Sequence, residues 1–278
     1  GGGSVLLMQR QRDPGDGARL AGLAPHMPWL RARTGFVLVV FVGRTRPGDL
    51  GIDIMQINLH KTFTTPHGGG GPGCGPVGYK AFLHGFAPTP VVERLTDGTF
   101  VLDHNRPRSV GKLRAFYGNF AMMVRAYAYL REMGPVGLKT ATDLAILNAN
   151  YLRVVLGTAW HVPYDRPCMH EVVISDKRLR GTGVTTLDVA KRLIDFGFHP
   201  PTVYFPLVVK GAMLIEPTET ETKQTLDEFV SALTEIRKEA STTPELVKTA
   251  PHQTRLRRLD ETRAARQPIL RWTPPLTS

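Results

Sequence analysis

The stretch IDIMQINLHKTFTTPHGGGGPGCGPV, which begins at Ile52, constrains this chain more than any other. An apolar run ends at His60 and Lys61 and opens into residues 68–78, seven of which are glycine. Ile52 to Leu59 has the length and β-branched content of a buried parallel strand, bounded by Gly51 and by the glycines after His67. Lys61 then falls at the carboxyl end of that strand, where open α/β sheets place their ligands. An amine partly desolvated in such a crevice is more readily neutral, and a neutral amine adds to an aldehyde to give a Schiff base. A surface lysine beside a loop is the plainer reading of that one residue.

The glycines narrow the choice. Gly68 to Gly71, with Gly69 and Gly70 at the centre, let backbone approach a ligand closely and present N–H groups to an anion, while Pro66, Pro72 and Pro76 restrict the loop. Gly73, Gly75 and Gly78 match the dinucleotide pattern G-x-G-x-x-G, but the residues before them read as loop and Pro76 interrupts them, which argues against that use. With 278 residues, 42% hydrophobic and 21% charged, the chain can bury a sizeable core. Its two cysteines, Cys74 and Cys168, make no disulfide scaffold, and no His/Cys spacing points to a metal. No apolar run reaches the roughly 18 residues of a membrane span. The net charge of +11 is spread along the chain without aromatic-interleaved basic clusters, so it speaks for an acidic protein partner rather than nucleic acid.

The segment NLHKTFTTPHGGGGPG, with RPGDLGIDIMQ before it, resembles the pyridoxal-phosphate lysine segment of the glycine cleavage system P protein, the decarboxylating glycine dehydrogenase. The resemblance continues through RPRSVGKLRAFYGNFAMMVRAYAYLREMG, LNANYLR, PYDRPCMHE, GVTTLDVAKRLIDFGFHPPTVYFPL and MLIEPTETETKQTLDEF, so it covers about Gly43 to Trp272. It implies an α/β fold, a fragment of a pyridoxal-phosphate enzyme of fold type I comprising the end of the large domain and the small C-terminal α/β domain. The expected divisions are an irregular or foreign segment over 1–35, a large-domain remnant over 36–108, the small domain over 109–240 and an extended basic tail over 241–278. It also implies pyridoxal phosphate on Lys61, glycine as substrate, and transfer of the aminomethyl group to the lipoyl group of the H protein. A partner P-protein subunit or a missing N-terminal half, and an oligomer in the bacterial cytoplasm, follow from the same likeness. A mitochondrial matrix location is the alternative, suggested by the arginine-rich start. For His60 and Asn58 two readings are open, cofactor contact or a hydrogen bond that fixes the strand end. Thr65 and His67 are open between phosphate or subunit contact and loop structure.

One departure stands out. In the family an aspartate on a strand upstream of the lysine pairs with the pyridine nitrogen, whereas no acidic residue lies between Asp16 and Asp49 here, and the corresponding residues are Val37 to Val40. A non-catalytic assembly or regulatory relative is therefore the alternative function.

The rest alternates in the manner of a small α/β domain. Phe36 to Val42 reads as a short strand. Val91 to Arg94 and Thr99 to Leu102 form a hairpin around Thr96-Asp97-Gly98. Ser109 reads as the cap of a helix from Val110 to Met133, stopped by Gly134-Pro135, and a second helix spans Val136 to Leu156. Met169 to Ser175 and Ala212 to Glu216 are expected strands. Thr186 to Phe196 and Thr220 to Ala240 are expected helices, the former with Asp188 placed four residues before Arg192. His170 and Glu171 look like an acid/base pair, but neighbours on a strand point to opposite faces, which argues against a joint role.

Overall fold

The computed structural model describes residues 42–66, 74–113 and 117–272, together with the backbone of Leu6–Leu7 and Thr34–Val37. His67, Gly69 and Gly70 lie outside the described residues, as do most of 1–35 and residues 38–41. The chain forms two compact units, Gly1–Leu144 and Ala145–Ser278. The division between them falls inside a helix.

The first unit carries a mixed sheet in the order β1-β4-β3-β2, formed by Leu6–Leu7 (β1), Thr34–Val37 (β2), Ile54–Ile57 (β3) and Pro76–Tyr79 (β4). Strands β2 and β3 are parallel, with Val37 beside Ile57. The expected strand from Ile52 is shorter than foreseen, because after Asn58 the chain coils into a one-turn helix, α1 (Leu59–Thr62). β4 arises where glycine and proline suggested loop; Pro76 is tolerated as its first residue, and Gly78 sits opposite Met55. Strands β5 (Val91–Arg94) and β6 (Phe100–Asp103) make the expected hairpin. Its turn is closed by Asp97, whose carboxylate accepts from the N–H and hydroxyl of Thr99 at 2.9 and 2.7 Å.

Ser109 does not start a helix. Its hydroxyl donates to the carbonyl of Ala87 (2.6 Å) and accepts from the N–H of Gly111 (3.0 Å), and the helix begins only at Phe120, after Asn119. α2 runs Phe120–Ala159 but is broken at Gly134, which has φ 58° and ψ −177°. That conformation suits glycine and hands the chain to Pro135, which has no N–H to lose in a first turn, so two helices meet head to tail where the sequence placed the stop. In this unit Leu59, Phe63, Cys74 and Ala126 are buried together, with Met122, Tyr129 and Leu130 against them.

The second unit packs helices on an antiparallel sheet in the order β7-β9-β8: Val172–Ser175 (β7), Thr202–Val203 (β8) and Ala212–Ile215 (β9). Alternation decides which side chains enter the core: Val172 and Ile174 from β7, Met213 and Ile215 from β9. Leu152, Leu156 and Trp160 join them, with Val189 and Leu193 of α3 (Thr186–Asp195) and Leu226, Phe229, Leu233 and Ile236 of α4 (Lys223–Thr242). α3 opens with a capping box in which Thr185 and Asp188 each satisfy the other's backbone N–H. Asp188 is thereby committed to the cap and to Arg258 at 2.7 Å, so the expected pairing with Arg192 is absent; Arg192 instead binds Glu239 (2.7 Å) and Asp195 (2.9 Å).

The segment expected to run as an extended tail is folded over its first part. α5 (Pro244–Lys248) buries Val247 completely, Ala250 is also fully buried, and Asp195 accepts from the backbone N–H groups of His252 and Gln253 at 2.6 and 2.9 Å. A short helix, α6 (Glu261–Arg266), follows with every residue exposed.

Candidate functional site

Lys61 owes its position to Asn58. The Asn58 backbone is still extended (φ −83°, ψ 110°), but its carbonyl accepts from the N–H groups of Lys61 (3.1 Å) and Thr62 (3.2 Å) and so turns the end of β3 into α1. In that single turn Leu59 and Thr62 face the core and Lys61 faces out. Lys61 is exposed, not partly desolvated as expected, because it lies on the outer side of a helical turn rather than at the tip of a strand. The Asn58 side chain does not cap the helix; its oxygen accepts from the amide of Gln56 at 2.8 Å, leaving its own amide nitrogen to donate. His60 is half-buried and Thr65 buried.

Two features brace this corner. Thr64 adopts φ 51°, unusual for a β-branched residue, and its carbonyl accepts from the guanidinium of Arg125 at 2.8 Å. Where the glycine-rich segment rejoins the sheet, the carbonyl of Cys74 accepts from the N–H of Leu59 at 3.1 Å. A Cβ on Gly75 would come within 2.3 Å of the Ile57 carbonyl oxygen, so only glycine lets the chain pass there.

Sequence reasoning passed over Thr62. Its hydroxyl is buried and has no hydrogen-bond partner among the described residues, although it adjoins Lys61. Nothing in the sequence marks it, since a threonine at the end of an apolar run reads as packing. Burial is the main influence on both Cys74 and Cys168 and raises their thiol pKa values, which disfavours thiolate chemistry. Asn148, Asn150 and Tyr151 serve packing within the second unit: Asn148 donates to the Thr218 carbonyl, Asn150 bonds both backbone groups of Cys168, and Tyr151 bonds Asp227.

A second cluster corrects the expectation about His170 and Glu171. β7 begins only at Val172, so the two residues precede the ladder and its strict alternation. Their side chains converge, with His170 Nε2 3.9 Å from Glu171 and 3.5 Å from Glu216. Glu216 joins them because β9 pairs Ile215 with Val172, which brings the next residues of both strands side by side. That register cannot be read from the sequence.

Residues 141–257 match the family model described as glycine dehydrogenase, C-terminal domain. Over 239 residues the chain is 57% identical to the probable glycine dehydrogenase (decarboxylating) subunit 2 of Caldanaerobacter subterraneus subsp. tengcongensis, covering 86% of this chain and 49% of that relative. Residues 141–257 thus belong to that C-terminal domain family, and the chain as a whole is similar to glycine dehydrogenase (decarboxylating) subunit 2. It spans about half the length of the curated relatives it matches. Among solved structures, the fold is similar to that of a glycine decarboxylase (P-protein) of the glycine cleavage system in inhibitor-bound form, with TM-score 0.62 and 20% identity over 74% of this chain and 48% of that one. It is also similar to a cysteine desulfurase from Thermococcus onnurineus NA1, with TM-score 0.54 and 14% identity over 74% and 52% of the two chains. The fold is accordingly that of fold type I pyridoxal-phosphate enzymes.

Proposed function

We propose that this chain carries the coenzyme lysine and C-terminal domain of a pyridoxal-phosphate-dependent glycine dehydrogenase (decarboxylating). The observation behind the reading is Lys61, an exposed amine one turn beyond a parallel strand, beside the glycine-rich segment, with no ion pair among the described residues. The residues fit the coenzyme. A primary amine can hold its aldehyde carbon covalently, and Lys61 is exposed and so open to it. When bound, the coenzyme supplies the electron sink that takes up the charge released as glycine loses its carboxylate.

The chain's own residues would then divide the work. Lys61 anchors, and Asn58 both fixes the turn that aims Lys61 outward and offers its amide nitrogen to the ring substituents. His60 is the adjoining ring contact. Thr65, His67, Gly69 and Gly70 are the residues placed in sequence to meet the phosphate, through hydroxyl, imidazole and backbone N–H groups. A lipoylated H protein would receive the aminomethyl group, and a partner P-protein subunit in an oligomer would complete the enzyme, in the bacterial cytoplasm or, alternatively, the mitochondrial matrix.

Borohydride reduction of the chain, assembled with its partner subunit and coenzyme, tests this. A pyridoxyl group on the peptide containing Lys61 is the expected result, and label found only on another lysine rejects the assignment. A second reading, a non-catalytic assembly relative, is favoured by the lack of any acidic residue between Asp16 and Asp49. It expects no coenzyme retention and no exchange of labelled bicarbonate with the glycine carboxyl, with or without the partner.

A further inference from the structure

A cavity of about 580 Å³ opens in the second unit between the short helical turn Asp176–Leu179, which follows β7, and the loop that leads into β9. Lys177, Arg180 and Lys210 line it, and none of these side chains has an ion pair or hydrogen bond among the described residues. Asp176 is the one acid on the wall, and its carboxylate already accepts from the Thr186 hydroxyl at 2.9 Å. The wall therefore carries two positive charges in excess. Leu179, Val184 and Val209, all buried, supply its apolar part.

His161, on the same wall, feels that charge. It is fixed by Ser175, whose hydroxyl lies 2.7 Å from its Nδ1 and whose N–H donates to its carbonyl at 2.9 Å. Burial is the main influence lowering its pKa, and the charges of Lys177, Arg178 and Arg180 lower it further. Arg178 is already committed, since its guanidinium donates to the carbonyls of Thr158 and Gly157 at 2.7 and 3.4 Å. Lys177 and Arg180 keep their donors for a ligand.

We propose that this cavity binds a small phosphomonoester, its phosphate held by Lys177, Arg180 and Lys210 and its organic body laid against Leu179, Val184 and Val209. A cleft lined by one sign of charge, with walls of low dielectric, focuses the field and concentrates counter-ions. A phosphate carries about −1.5 to −2 charges at pH 7, which matches the excess on the wall, whereas a single carboxylate leaves part of it unmet. The guanidinium fork of an arginine and the point charge of a lysine both suit phosphate oxygens. The volume falls within the roughly 300–1,000 Å³ of small-molecule sites, more than a bare phosphate fills. The site is separate from the coenzyme reading, because Lys61 belongs to the first unit.

The test titrates the full chain by calorimetry with phenyl phosphate, inorganic phosphate and benzoate. Phenyl phosphate should bind one to one with a Kd below about 1 mM, and the other two probes at least about tenfold more weakly. Arg180→Gln and Lys210→Gln should each weaken phenyl phosphate about tenfold, through the loss of a charge-assisted hydrogen bond, while the melting temperature of the ligand-free chain stays the same because both side chains are exposed. Lys61→Ala, which removes the coenzyme amine, should bind phenyl phosphate as the parent chain does. Absence of saturable binding below about 1 mM, benzoate or inorganic phosphate binding as tightly as phenyl phosphate, or an affinity unchanged in both glutamine variants overturns the proposal. So does an affinity lost in Lys61→Ala, which would put the probe at the coenzyme position.

Discussion

At the scale of single residues, Asp195 shows how one carboxylate can hold a chain end. Its side chain is 1% exposed and accepts from the His252 and Gln253 N–H groups and from Arg192. Desolvation, the largest single influence, pushes its pKa up, but the two backbone donors together with Arg192 and His252 outweigh it and hold the value below the ordinary 3.8. A depressed carboxylate contributes stability that is fully present above the unfolded pKa and is lost as pH falls through the folded one. Stability of the second unit should therefore decline on acidification below about pH 4, and Asp195→Ala should flatten that decline while costing about 3 kcal/mol at neutral pH, as read from urea unfolding. Gly75→Ala makes a different claim. The clash with the Ile57 carbonyl should destabilise the first unit, and a variant as stable as the parent chain would show that the rejoining segment can move aside. Around the candidate site, the grouping of Lys61, His60 and Asn58 at the end of β3 was legible because their order along the chain fixes it. Thr62 and Glu216 were not, because their roles depend on which face of a turn or which rung of a ladder they occupy.

At the scale of elements, local chemistry was readable wherever a residue's only sensible use was a turn. Asp97-Gly98 marked the hairpin and Gly134-Pro135 the helix break, and both are where expected. The apolar spacing from Val110 onward was misleading, since Ser109 bonds back to Ala87 instead of capping a helix. α5 was missed for a related reason. The basic composition after residue 241 suggested an extended tail, and one valine at helical spacing from one alanine was too little to contradict it, yet Val247 and Ala250 are fully buried. Val247→Ala should cost about 2 kcal/mol, measurable by chemical unfolding; a change below about 0.5 kcal/mol would mean that α5 lies on the surface.

At the scale of the whole molecule, the two units differ sharply in their cores. Among the described residues the first assembles a small buried group around Leu59 and Phe63, whereas the second closes a continuous core from Leu152 to Val247 through its sheet. Calorimetry of the chain should accordingly resolve two transitions, the first unit melting at the lower temperature. Hydrogen exchange should then show Val172, Met213 and Leu233 protected long after β3 and β4 have exchanged. A single cooperative transition would show that the two cores unfold as one.

The helix that begins at Pro135 has a further consequence. It runs without interruption past Leu144, the last residue of the first unit, and reaches Ala159 in the core of the second. A protease seeking an exposed linker between residues 135 and 159 would find only hydrogen-bonded backbone, and a gene cut at residue 145 would give the C-terminal piece a ragged first turn with its N–H groups unmet. A cut at Gly134, where the chain already breaks its own helix, leaves that helix whole and makes position 134, not 145, the natural place to divide the polypeptide.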